Sequence, residues 1–239
     1  MIRFRFSKIY LGGLGMKGDV IIMRNFEYVP KEEWKPTRDE LLEIIHKLQI
    51  EVWDYFSFQY QFVGSSKQNM ITRDRNSNIG YDFDVNIEVN DPDENYSAEE
   101  IRHILRQGLD KVTHPYGNQL FNYDYTEDST RVLTIKVKDR ANSRILHSCD
   151  FCIIFECNDG RQQYIRYNKK QCSYSWEYQP KGYYNLSAKI KWIKKHKLWQ
   201  QVRDTYIYKK NINTDDNKKS RSIFAETIQQ ICQQYGYYK

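Results

Sequence analysis

No apolar run in this sequence approaches the length of a membrane span, and no apolar block follows its first residues. A membrane-embedded chain is therefore not expected, and a mean hydropathy of −0.82 supports this. A secreted one is not expected either, because Met-Ile-Arg-Phe-Arg-Phe lacks the apolar core of a leader. Together these absences predict a cytoplasmic protein with no membrane partner. Cysteine is scarce too: five residues, an odd number without regular spacing, fit reduced thiols better than a disulfide framework. Neither sign of charge dominates, with 37 basic against 31 acidic residues. The net +6 permits polyanionic partners such as nucleoside triphosphates or RNA without requiring them. Tyrosine is abundant, with 20 copies of an amphipathic ring that stacks on bases or lines the rim of a core. The 239 residues suit one domain or two small lobes.

The most informative stretch runs from Phe62 to Ile87. It opens on Phe-Val-Gly-Ser-Ser-Lys and closes on Tyr-Asp-Phe-Asp-Val-Asn-Ile, with a polar spacer from Ser66 to Tyr81 between. Side chains alternate along a strand, so Asp82, Asp84, Asn86 and Glu88 fall on one face and Phe83, Val85, Ile87 and Val89 on the other. The apolar face can pack on a core, which leaves two adjacent carboxylates facing the same way. Like charges so close repel unless something positive lies between them, and a divalent ion is the usual answer. Gly64 and Ser65 offer a backbone that a phosphate can approach, since glycine has no Cβ and serine adds a hydroxyl donor. Taken singly, Asp-x-Asp is a common strand edge and Gly-Ser a common loop; the combination carries the signal.

Elsewhere the pattern is ordinary. Strands are expected over Ile2–Tyr10 and Val20–Tyr28, joined by a flexible glycine-rich turn over Leu11–Gly18 rather than a phosphate cradle, because no helix follows it. Thr37 with Glu40 reads as a capping box that opens a helix with Leu41, Leu42, Ile44, Ile45, Leu48 and Val52 inward and Ile50 off the stripe. His46 reads as an ordinary helix residue. A strand over Phe58–Val63 follows, and Lys67, Arg73 and Arg75 read as solvated loop charges that could also reach phosphate. Ser97 with Glu100 caps a second helix carrying Ile101, Ile104, Leu105 and Leu109. Arg131–Lys138 alternates as a strand. Ser148–Phe155 is a second apolar-rich strand with one acid, Asp150, embedded in it, and Gln163–Tyr167 is expected to pair with it. His147, Cys149, Cys152, Cys157 and Cys172 suggest zinc, but Cys149 and Cys152 point to opposite faces of a strand and cannot share an ion. From Ser175 an aromatic linker leads to helices over Leu186–Lys197, Leu198–Lys210 and Ser222–Tyr235. The lysines at 189, 191, 194, 195 and 197, with His196, could follow a nucleic-acid backbone or form a wet helix face.

The order helix, strand, Gly-Ser, spacer, Asp-apolar-Asp and a later strand-borne acid resembles the nucleotidyltransferase superfamily of DNA polymerase β-like enzymes. The C-terminal layout resembles its poly(A) polymerase, oligoadenylate synthetase and bacterial cyclic-oligonucleotide synthase branch. That resemblance implies an α+β fold: a mixed, largely antiparallel sheet flanked by helices, with residues 1–180 as catalytic core and 181–239 as a small helical lobe. It implies a transferase that moves NMP from a nucleoside triphosphate such as ATP to a hydroxyl on a nucleotide or RNA, with release of pyrophosphate. Asp82, Asp84 and Asp150 would be the catalytic acids and the ligands of Mg²⁺ or Mn²⁺. Gly64 and Ser65 would bind the triphosphate, with Lys209 and Ser222 facing it from the helical lobe. The alternatives are a non-catalytic nucleotide- or RNA-binding module on the same scaffold, or an antibiotic-type nucleotidyltransferase acting on a small molecule.

Overall fold

The computed structural model describes residues 24–119, 121–179 and 185–237. The strand expected over Ile2–Tyr10 and the turn over Leu11–Gly18 lie outside them. The chain runs through β1 (Phe26–Tyr28), α1 (Lys31–Glu51), β2 (Ser57–Val63), α2 (Gly64–Lys67), β3 (Thr72–Asp74), β4 (Ile79–Asn90) and α3 (Ala98–Thr113). It continues with β5 (Glu127–Asp128), β6 (Val132–Asp139), β7 (Arg144–Glu156), β8 (Gln162–Asn168) and β9 (Ser173–Tyr178), then α4 (Asn185–Lys195), α5 (Trp199–Ile212) and α6 (Ser220–Gln234).

Among the described residues, seven strands form one sheet in the order β2-β4-β7-β6-β5, with β8 added to the end of β7 and β9 beyond it. β4 and β7 run parallel and the remaining pairings are antiparallel, the mixed α+β arrangement expected. Alternation makes one face of this sheet apolar: Phe83, Val85 and Ile87 of β4, Leu133 and Ile135 of β6, and Phe151 and Ile153 of β7 are all fully buried. Helices α1 and α3 cover that face through Leu41, Ile44, Ile45 and Leu48 and through Ile101, Leu105 and Leu109. Ile50 stays exposed, as its place off the stripe requires. The opposite face of the sheet carries the acids.

A second, smaller core joins the three C-terminal helices: Ile193, Val202, Tyr206, Ile223, Ile228, Ile231 and Cys232 close around Met70, from the connection after α2. Polar ties reinforce the contact. Arg203 donates to the Asn69 carbonyl at 2.6 Å and lies 4.0 Å over the Tyr28 ring, and Asn211 exchanges two hydrogen bonds with the backbone of Phe26. Among the described residues no helix is long and apolar enough to cross a membrane.

Three expectations need correction. Helix α1 begins at Lys31, not at Thr37, and Pro36 lies inside it. The cause is tertiary: Trp34 is 3% exposed and packs edge-on to Phe83, so its burial draws the preceding turns into helix. Thr37 therefore caps nothing; its hydroxyl is buried against that of Tyr81 at 2.9 Å. The expected aromatic linker is instead strand β9, which pairs with β8 from Asn168 opposite Ser173 to Gln163 opposite Tyr178. The spacer after Gly-Ser is not one loop, because Thr72–Asp74 pairs with Phe26–Tyr28. The capping box at Ser97 and Glu100 forms as read.

Strand β9 is anchored through a buried ion pair. Arg102 of α3, fully buried, donates to Asp128 at 2.6 Å and to the carbonyls of Ser129 and Val132, while the Tyr174 hydroxyl donates to the other Asp128 oxygen at 2.9 Å. Removing one partner of such a pair strands the other without water. Arg102→Ala is expected to destabilise the fold by about 3 kcal/mol. Denaturant unfolding checks this as a fall in midpoint with an unchanged slope.

Candidate active site

Asp84 and Asp150 are direct register partners across the parallel β4–β7 pair, and Asp82 opposite Ser148 lies two residues back on the same face. The three acids are thus brought together from two neighbouring strands by alternation alone. Their electrostatics report the crowding. The Asp84 carboxyl is pushed up to about 7, first by burial and then by the charges of Asp82 and Asp150, with Arg221 opposing. Burial raises Asp150 as well, offset by the Thr134 hydroxyl that donates to its Oδ1 at 2.6 Å. Asp82 is raised by the protein atoms crowding it, with Lys210 opposing. Its side chain nevertheless stays open to solvent. The crowding is therefore that of a crevice wall, and a ligand can reach the carboxylate.

Val63, the last residue of β2, pairs with Asp84, so the Gly-Ser turn emerges beside the acids. Gly64 has a φ of +60°, a left-handed conformation that costs a side-chain-bearing residue about 1 kcal/mol or more. A Cβ there would also meet Asp84 Oδ2 at 2.3 Å. Both features favour glycine, and the second means that any side chain here would displace the Asp84 carboxylate. Ser65 is half-buried, and its carbonyl accepts from Gln68 and Met70, closing the single turn of α2.

Of the two residues expected from the helical lobe, Ser222 is exposed in the first turn of α6. Its neighbour Arg221 supplies the positive charge felt by Asp84. Lys209 is half-buried on α5, but the ammonium whose charge Asp82 feels belongs to Lys210. Lys210 is buried, donates to Thr72 Oγ1 at 2.7 Å and lies 3.8 Å over the Phe26 ring. Burial pulls its ammonium down to about 8, against the charge of Asp82, which raises it. Sequence reasoning missed it, although Val202, Tyr206 and Lys210, the buried residues of α5, recur at helical spacing. No comparable signal marks Arg221. The spacer cations have other partners: Arg73 pairs with Glu27 and Glu33, Arg75 with Glu27, and Lys67 donates to Gln61.

Three hard oxygen donors whose charges oppose one another are the donor chemistry that Mg²⁺ or Mn²⁺ takes. Among the described residues no three His, Cys, Asp or Glu side chains are placed so as to hold a metal ion. The fit therefore rests on donor type and strand register.

No protein-family model matches the sequence, and neither does any curated protein. Solved structures do match by fold. Vibrio cholerae DncV in its 3'-deoxy GTP bound form aligns with 84% of this chain and 52% of its own at 12% identity, with a TM-score of 0.53. Its 3'-deoxy ATP bound form aligns over the same shares with a TM-score of 0.52. The chain spans about half the length of these structures. With its mixed sheet, covering helices and this likeness, the chain has the α+β nucleotidyltransferase fold.

Proposed function

We propose that the protein is a metal-dependent nucleotidyltransferase. It moves NMP from a nucleoside triphosphate to a hydroxyl on a nucleotide or RNA and releases pyrophosphate. One observation carries this reading: Asp84 and Asp150 are register partners with Asp82 on the same face, beside a glycine turn so close that an added Cβ would meet the Asp84 carboxylate. A binding-only module has no use for three carboxylates that repel a polyanion.

Asp82, Asp84 and Asp150 would hold Mg²⁺ or Mn²⁺, which when bound would neutralise charge on the triphosphate and lower the pKa of the attacking hydroxyl. The backbone at Gly64 and the hydroxyl of Ser65 orient the β- and γ-phosphates, a task for fixed dipoles. Thr134 holds Asp150 Oδ1, which leaves Oδ2 to accept the acceptor's proton. The acceptor oxygen then bonds the α-phosphorus as the α–β phosphoanhydride bond breaks. Lys209, Lys210, Arg221 and Ser222 bring donors and positive charge from the helical lobe to the triphosphate side. In this reading residues 1–180 form the catalytic core and 181–239 the lobe that closes over it. The setting is cytoplasmic, in keeping with five free cysteines. DncV is a cyclic AMP-GMP synthase, which supports a nucleotide as one acceptor to test.

Incubation with labelled ATP or GTP and Mg²⁺ or Mn²⁺, with and without total RNA, tests the proposal. Labelled RNA or a labelled small product supports it. No transfer under any condition, with RNA binding that survives both chelator and loss of the acids, supports the binding module instead.

A further inference from the structure

Between Glu177 and Asp204 the sequence has no carboxylate, yet this stretch carries lysines at 189, 191, 194, 195 and 197, with His196 and Arg203. Helix α4 and the turn after it place Lys191, Lys194, Lys195, His196 and Lys197 in solvent. Among the described residues none of these groups pairs with a carboxylate; Lys189 and Lys194 donate to the neutral Gln229 and Gln68. The helix dipole favours Lys194 and Lys195, in the last turn of α4, but it accounts for neither Lys191 nor Lys197. At spacings of three and four residues these ammoniums repel one another, which a bound polyanion would relieve.

We propose that this ridge binds the phosphate backbone of single-stranded RNA and delivers its end to the candidate active site. As an account of the acceptor this rests on the transfer proposed above; as a binding surface it does not. Position supports it. Lys194 donates at 2.8 Å to Gln68, and Ile193 shares a core with Met70, so α4 abuts the turn that begins at Gly64. Lys67 is exposed on that same turn and extends the positive path toward the acids. The ridge also has rings beside its charges: Trp192 lies 4.2 Å from the His196 ring, and Lys194 lies 4.7 Å over Trp199. Both rings are half-buried against the second core and already covered, so they set the ammoniums in place and recognition falls to the charges. A membrane surface is a poorer match, because no large apolar side chain is exposed on α4 to enter a bilayer.

The test compares the parent protein with a triple variant, Lys191→Gln, Lys195→Gln and Lys197→Gln, which leaves the Lys194 brace in place. Fluorescence anisotropy of a labelled single-stranded RNA of about 20 nucleotides is followed across a salt series. Each phosphate contact to a single strand contributes about 0.7 to the salt slope. The variant's slope is expected to fall by about 2, with affinity at low salt down about tenfold or more. Binding of a fluorescent ATP analogue is expected to stay unchanged. Equal RNA affinity and slope in both proteins overturns the proposal, as does parent protein that binds vesicles of anionic lipid more tightly than RNA. Lysine-dependent RNA binding without transfer to any acceptor would leave this surface standing and remove the catalytic reading.

Discussion

Replacing Asp84 with Asn is expected to cut nucleotidyl transfer by about a thousandfold, roughly 4 kcal/mol of transition-state stabilisation, while the fold persists. Asn keeps the volume and loses the charge, so the loss reports electrostatics rather than packing. The same substitution is expected to stabilise the metal-free protein. The Asp84 carboxyl is raised to about 7 from an unfolded value near 4, mainly by burial and then by Asp82 and Asp150. A carboxyl raised in this way favours the fold while protonated and loses that contribution as pH climbs through the folded value. Parent and variant should therefore unfold alike near pH 4 and diverge toward pH 8, with the variant more stable by on the order of 1 kcal/mol. Added Mg²⁺ should narrow the gap by stabilising the parent alone. Thermal melts at several pH values, run beside the transfer assay, check both halves. An active variant, or one no more stable at pH 8, removes Asp84 from the role given to it.

The sequence made this acid site legible because its signal has period two. Asp82 and Asp84 alternate with Phe83 and Val85, and Asp150 alternates with Cys149 and Phe151, so which face each occupies follows without coordinates. The parallel register of β4 on β7 was not legible, since it depends on the long crossover between them rather than on local residues. Misreadings arose where a local signal met a stronger tertiary one. Thr37 with Glu40 has the letters of a capping box, but the burial of Trp34 carries α1 past it. Strand β9 alternates in its letters, Ser-Tyr-Ser-Trp-Glu-Tyr, but not in its burial, since Ser173 and Glu177 are half-buried and Tyr178 is exposed; the partner that makes it a strand is β8, and no local feature reveals that. The choice between Lys209 and Lys210 turned on one position of helical phase, which places Lys210 in the buried stripe.

Gly64→Ala is expected to lower transfer by about a hundredfold or more, the scale of a reacting group displaced by about an ångström. Gly64 lies outside the acid trio, so the loss passes either through the phosphates its backbone orients or through the acid beside it. Its φ of +60° alone makes alanine costly by about 1 kcal/mol, a stability effect with little reason to reach so far into the rate. The added Cβ is different: at 2.3 Å from Asp84 Oδ2 it cannot coexist with the carboxylate, and either the turn or the acid must move. Backbone relief on the turn's side is limited, because Val63 is held in register with Asp84 and Ser65 is tied to Gln68 and Met70. The displacement therefore falls largely on Asp84. Ser65→Ala is the control, since it removes one hydroxyl at the next position without adding atoms, and about a tenfold loss is expected from a single phosphate-orienting donor. Steady-state kinetics set against unfolding midpoints separate the cases. A Gly64→Ala protein that loses about 1–2 kcal/mol of stability but transfers at the parent rate would show that the turn is only a connection and that Asp84 is not held in place by it.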